Sequence, residues 1–455
     1  MISAAYARGA AVWSVRALLA VVILVSFSML APRAPQLALA FGIARRVLSQ
    51  HAFDIGWLGA ILEYGVASAA GVGRLAAFGG LAVIATLALV EWRARARAGT
   101  LLALAATIVA AFAFFDVLRV AGGGTSWLAA AALLLVLERA PGRHIFWAVP
   151  VVILWCNVSA QGIVAPGLVA LIALGHMIDE GYDSPAVGRL WLVAAACAVA
   201  TLFTPAGFMY VISAPLAARL DRDLLRIVPL APDVLAPIGY RTAFFAIVMG
   251  GAALGFSQRR AVDGLLLAAG VVLTMIDGAY LPLLGILAAP ILAASLQAVL
   301  PQSITDWAPR EARRITAGAI ALVAAFGIGF NLHVDALSQR MAPQSLIERL
   351  AADGRPHSVY CSFAEWCDYA IGNGNLRVWM DGRVERASFE TRDMQRIVAR
   401  VEPGWSERLR RSGIDAIVVR HTDALATLLG MSRDWASLAG DDNTQLFVRR
   451  AGSAR

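Results

Sequence analysis

The side chains best placed for chemistry are arginines and carboxylates set into an otherwise apolar chain. Arg219, Arg222 and Arg226 recur at i, i+3 and i+7, so on a helix they form one stripe beside the apolar face of Leu216, Leu220, Leu224 and Ile227. Such a helix suits the outer headgroup layer, where the arginines either snorkel to lipid phosphates or clamp a lipid-linked phosphate, with Arg241 a further candidate for the clamp. Asp116 has Arg119 one turn away as an ion-pair partner, whereas Asp277 has none nearby and either is exposed at a span end or lines a cavity. Asp381 and Arg383 flank Gly382 in a corner that is either a turn closed by its own ion pair or a substrate contact. Cys361 and Cys367 are spaced so that a strand end and a following turn bring them within disulfide reach, leaving a bridge and free thiols both open. Cys156 and Cys197 sit in apolar runs and read as packed thiols.

The elements that must hold these groups are mainly membrane helices. The chain has 455 residues, 59% hydrophobic and only 15% charged, with mean hydropathy +0.69; a soluble domain carries about 25% charged residues. Apolar runs that read as candidate spans of a hydrocarbon core of about 30 Å recur at 10–30, 73–92, 100–120, 126–138, 145–159, 162–179, 189–205, 241–257, 261–276, 279–299 and 315–332, of which 126–138 is short for a crossing. The first resembles a signal peptide but lacks a clear cleavage site, so it reads as an uncleaved span.

The net charge of +8 and pI near 9.8 come entirely from arginine, since the chain has no lysine. Arginines cluster at the ends of apolar runs, notably Arg93, Arg95 and Arg97, and also Arg139, Arg143, Arg189, Arg259, Arg260, Arg310, Arg313 and Arg314. Applying the positive-inside rule to them gives about eleven crossings, a cytoplasmic N-terminus and an external tail. Charge therefore marks topology, and no nucleic-acid module, nucleotide loop or nucleophile elbow is present. Nor is there histidine or cysteine at zinc spacing, and no cofactor is implied.

The expected organisation is a transmembrane domain over 1–332, with external interfacial helices at about 33–70 and 206–240, and a water-soluble domain over 333–455. In the tail, strands are expected at 357–361, 376–380, 414–420, 435–438 and 445–449. Helices are expected at 341–353, 389–411 with a break at Pro403 and Gly404, and 422–429. Strands alternating with helices make this a small α/β domain.

Several stretches together resemble a known family. In the tail these are FAEWCDYAI, RVWMDGR, GIDAIVVR and LFVRR. In the apolar region LWCNVSAQG at 154–162 is similar to a span-end motif Trp-x-Asn-x-His-Gly, TLFTPAGFMYV at 201–211 to an Asn-Pro-x-Gly motif, and LPLLGILAAP at 281–290 to a span beginning Arg-x-x-Pro. The pattern resembles the bacterial C-type glycosyltransferases, integral-membrane enzymes that use polyprenyl-phosphate-linked sugars. The chain departs from it where Ser159 or Ala160 replaces the histidine, where Thr204 replaces the asparagine, and where Asp277, Gly278 and Ala279 stand in place of the arginine.

The resemblance implies a polytopic α-helical protein of the bacterial inner membrane with a periplasmic C-terminal α/β domain. It also implies transfer of a sugar from a polyprenyl-phosphate donor to a lipid, glycan or protein acceptor. Enzymes of this kind carry an acidic base in the first external loop, which here means Asp54, with His51 one helical turn earlier; a carboxylate there activates an acceptor hydroxyl while arginines hold the donor phosphate. The alternatives are that His51 and Asp54 only cap an interfacial helix, and that the whole chain is an inactive relative serving as a scaffold for an envelope protein partner. In either case its surroundings are the lipid bilayer and, for the enzyme, a lipid-linked sugar.

Overall fold

The computed structural model describes residues 12–24, 56–70, 72–114, 123–139, 142–212, 260–276, 280–299, 344–362, 366–367, 370, 375–380, 389–441 and 444–450. These fall into two units, one helical and one built on a sheet.

The described helices of the first unit are α1 (Val12–Leu24), α2 (Trp57–Ala70), α3 (Val72–Arg95), α4 (Thr100–Phe112), α5 (Gly123–Arg139), α6 (Ala148–Val158), α7 (Ala165–Glu180), α8 (Pro185–Ala200), α9 (Ala261–Ile276) and α10 (Leu281–Val299). Short 3-10 turns at Gly142–Trp147 and Ala160–Val164 lead into α6 and α7. The apolar run at 145–159 thus enters as a 3-10 turn and becomes α-helical only at Ala148. Among the described residues, Ala160–Glu180 and Leu281–Val299 are long and apolar enough to cross a membrane. Because lipid offers no hydrophobic drive between helices, close packing needs small side chains at the crossings. Gly175 lets α7 lie against the backbone of Val262 on α9, where an added Cβ would sit 2.4 Å from the Val262 Cα. Gly285 does the same for α10 against Ala113, with 2.9 Å left for a Cβ.

Helix α10 is buried from Leu281 to Ser295, as its uniformly apolar sequence requires. It also contains Pro290, which has no N–H to give the Ile286 carbonyl four residues back. Arg93 supplies the missing donor, its Nη1 lying 2.8 Å from that carbonyl. The same guanidinium binds Glu138 through Nε and Nη2, at 2.9 and 2.6 Å, and its side chain is 1% exposed. Arg97 pairs with Asp263 at 2.6 Å, and Arg16 with Glu91 through Nε at 3.1 Å. Arg93 and Arg97, which sequence reading assigned to topology, therefore also tie α3, α5, α9 and α10 together, and Arg16 adds α1. Hydroxyls inside the helices close on the carbonyl one turn back, as Thr86, Thr107, Thr274 and Ser295 do.

The second unit is a five-stranded sheet of order β2-β1-β3-β5-β4, from β1 (His357–Cys361), β2 (Leu376–Val378), β3 (Ala416–Arg420), β4 (Trp435–Gly440) and β5 (Thr444–Arg449). The first three strands are parallel, and β5 runs antiparallel to β3 and β4. Helices α11 (Gln344–Ala352), α12 (Phe389–Ala399), α13 (Trp405–Arg411) and α14 (Ala424–Met431) cover it. Strand β3 is central and apolar on both faces: Ala416 and Val418 pack with Leu346, Ile347 and Leu350 of α11 on one, Ile417 and Val419 with Met394, Val398, Leu409 and Leu425 on the other. The break in the 389–411 helix falls where Gly404 takes φ +89°. Strand β2 ends at Val378, two residues earlier than its apolar pattern suggests.

Candidate functional site

Of the residues singled out from sequence, His51, Asp54, Asp116, Arg219, Arg222, Arg226, Arg241, Asp277, Asp381 and Arg383 lie outside the described residues. The described chain shows the surface that adjoins Asp54 in sequence, since Trp57 follows it by three residues and opens α2.

Two glycines set the position of α2. A Cβ at Gly56, whose φ is +74°, would lie 3.2 Å from the Val158 carbonyl oxygen, and one at Gly59 would lie 2.7 Å from it. Only residues without a side chain allow the start of α2 to rest on the end of α6 this closely. The contact is locked by Asn157. Its Oδ1 accepts from Trp57 Nε1 at 2.8 Å, and its Nδ2 donates to the Ile153 and Phe203 carbonyls at 2.8 and 2.9 Å. One amide thus joins α2, α6 and the turn after α8.

Beside it opens a cavity of about 550 Å³ lined by Trp57, Leu58, Pro150, Ile153, Leu154, Asn157, Phe203 and Pro205. These described walls carry no ionisable group. Such a surface suits a hydrocarbon chain, with the Trp57–Asn157 pair as its polar margin, and any proton transfer must be done by residues beyond it.

The chain turns sharply after Asn157, and here a second polar group gathers. Trp155 Nε1 donates to Ser126 Oγ at 2.9 Å, and Ser126 donates to Gln161 Oε1 at 2.9 Å. Ser159 Oγ accepts the Gln161 backbone N–H at 3.2 Å and bonds Gln161 Oε1 as well. Tyr210 donates its hydroxyl to the Ser159 and Ala160 carbonyls, at 3.0 and 3.1 Å. Gly162 makes the corner possible, since a Cβ there would lie 2.7 Å from the Cys156 nitrogen.

Sequence reasoning sought the histidine of the Trp-x-Asn-x-His-Gly motif at Ser159 or Ala160. The residue that directly precedes the glycine is Gln161, and that adjacency was the available signal. Glu63 was also missed, because WLGAILEYGV reads as part of an external loop. It lies on the inner face of α2, one turn beyond Gly59; the residue is 4% exposed and its Oε1 has no hydrogen-bond partner.

In the sheet unit Cys361 and Cys367 are joined by a disulfide, with Cα atoms 5.8 Å apart. The bond links the end of β1 to the 3-10 turn at 366–367. At the other end of β1, His357 lies between Asp353 and Asp415, 3.3 Å from each, and Asp415 also takes the Ser358 N–H at 2.6 Å. On β1, Tyr360 is fully buried; burial, and secondarily the nearby Asp423, push its hydroxyl far above the usual tyrosine range. It therefore stays protonated and offers no base. No group of three or more histidine, cysteine or carboxylate side chains suited to a metal occurs among the described residues.

No family model matches the chain, and no curated protein matches it. Solved structures do. ArnT from Cupriavidus metallidurans bound to undecaprenyl phosphate superposes with a TM-score of 0.58 at 12% identity, over 97% of this chain and 98% of that one. The apo state of the same protein gives 0.59 at 13% identity, over 94% and 95%. ArnT is a polyprenyl-phosphate-sugar-dependent glycosyltransferase of the C type. Both units are thus covered by a single similar chain, and at these identities the likeness speaks for fold alone: this protein has the fold of ArnT.

Proposed function

We propose that the chain transfers a sugar from a polyprenyl-phosphate donor to a lipid, glycan or protein acceptor at the periplasmic face of the bacterial inner membrane. The observation that carries this reading is the near-full-length likeness to ArnT bound to undecaprenyl phosphate. The apolar cavity with one indole–amide margin supports it, because a polyprenyl chain needs such a surface next to polar groups that meet its phosphate.

In this reading Asp54 takes the proton from the acceptor hydroxyl. The acceptor oxygen then bonds the anomeric carbon as the bond from that carbon to the phosphate oxygen breaks, and polyprenyl phosphate leaves. Arg219, Arg222, Arg226 and Arg241 hold the phosphate and meet the charge that grows on it as it departs. The Trp57–Asn157 bond and the Gly56–Val158 contact hold the start of α2, three residues after Asp54, against the end of α6.

Purified protein in proteoliposomes supplied with polyprenyl-phosphate sugars tests the assignment. Asp54→Asn is expected to slow transfer by about 100-fold or more with expression unchanged, the range for loss of a general base. Turnover equal to wild type removes Asp54 from the mechanism.

A further inference from the structure

We propose that Gln161 contacts the phosphate of the lipid-linked donor through the two N–H groups of its Nε2, and that Ser126 and Ser159 are the residues that aim it. This rests on the function proposed above and adds a binding residue that the motif comparison did not supply.

The orientation of the amide follows from counting protons. The Trp155 indole can only donate, and it donates to Ser126 Oγ, so the Ser126 proton is free to go elsewhere; Gln161 Oε1 lies 2.9 Å away. Ser159 Oγ accepts the backbone N–H of Gln161, so its proton too is directed to Oε1. Two hydroxyl protons on one face of the amide fix that face as the oxygen. The Nε2 donors must then point the other way.

No described residue takes them up: Nε2 has no hydrogen-bond partner among the described residues, and Gln161 is half-buried. The nearby backbone acceptors are already engaged, since Tyr210 donates to the carbonyls of both Ser159 and Ala160. A fixed pair of N–H groups with no acceptor among the described residues suits an anionic oxygen, for which charge-assisted bonds are short and strong.

The proposed function supplies the class of anion. Gln161 lies four residues along the chain beyond Asn157, which lines the apolar cavity from the end of α6. A hydrocarbon-lined surface and a pair of anion donors this near in sequence match the two parts of the proposed donor, a polyprenyl phosphate.

The test is equilibrium binding of undecaprenyl phosphate, and of undecaprenol as the uncharged control, to the full chain in lipid nanodiscs. Gln161→Glu keeps an acceptor for both serine hydroxyls, so the corner stays bonded, while it replaces the two donors by an anionic oxygen. It is expected to weaken undecaprenyl phosphate at least about tenfold and to leave undecaprenol unchanged. Gln161→Ala should act in the same direction. Ser126→Ala, which frees the amide to rotate, should give a smaller loss that is again confined to the phosphate. Gln161→Glu binding the phosphate as tightly as wild type overturns the inference, as does an equal loss for both lipids. Wild type that fails to bind undecaprenyl phosphate at all overturns both the inference and the proposed function, so the two failures are distinguishable.

Discussion

Two polar clusters in the helical unit differ in what they leave open. Around Arg93, the Nε, Nη1 and Nη2 donors all reach an acceptor, on Glu138 and on the carbonyl that Pro290 cannot serve. Around Gln161 the acceptor oxygen is doubly engaged and the donors are left over. A closed network of this kind stabilises one arrangement of helices. An open one, in the role proposed for Gln161, keeps binding capacity for something that is not part of the chain.

Breaking the closed cluster should have the largest effect on stability. Arg93→Ala leaves the Ile286 carbonyl without its donor and leaves the partly exposed Glu138 only Arg97, 3.8 Å away; three bonds of one buried guanidinium are lost together, and at about 1.5 kcal/mol or more for each bond to a charged group this costs about 3–5 kcal/mol. Thermal unfolding in detergent should show a large drop. A change within about 0.5 kcal/mol of wild type, the range of ordinary surface substitutions, would mean that the Pro290 carbonyl finds another donor.

The sheet unit should respond less. Replacing Cys361 and Cys367 by serine opens a loop of six residues, and chain-entropy arithmetic puts its stabilising contribution at about 2 kcal/mol. Chemical denaturation of the oxidised and reduced wild-type chain, beside the double variant, measures it. If reduction leaves stability unchanged, the bridge contributes nothing to the folded state.

The smallest effect is expected at the surface of α13. Hydrogen bonds from Arg410 and Arg411 hold the Glu407 carboxyl down to about 2. Because its folded value is depressed, its contribution is fully present above the ordinary glutamate value of about 4.3, and it is lost as pH falls toward 2. Glu407→Gln should therefore be slightly less stable than wild type at pH 6 and indistinguishable from it at pH 2. The group is exposed, so solvent screening keeps the difference small. A difference that grows as the pH is lowered would contradict this assignment.

How much of this could be read from the chain depends on the distance over which each feature is decided. The tail strands were readable because IDAIVVR and SVYC are apolar runs bounded by turn residues, and the positions of helices such as 261–276 followed from apolar length alone. The inward turn of Arg93 was not readable. An arginine at a span end looks the same whether it meets cytoplasm or a carbonyl freed by a proline 197 residues later in the chain. Gln161 was hidden for a similar reason, since its orientation is set by Ser126, 35 residues earlier. Glu63 was passed over because a single carboxylate in an apolar segment gives no sign of which helix face it occupies. The phosphate clamp of the arginine stripe was read from spacing, whereas the chemistry proposed for Asp54 came from the family resemblance.

The central claim is that this fold still serves a lipid-linked phosphate, and binding by the wild-type chain tests it most directly. Titrated into the protein in nanodiscs, undecaprenyl phosphate should raise the unfolding temperature progressively with concentration, by the mass-action stabilisation that any ligand of the folded state confers. Undecaprenol should raise it far less. Equal responses to the two lipids, or no response to either, would contradict the account.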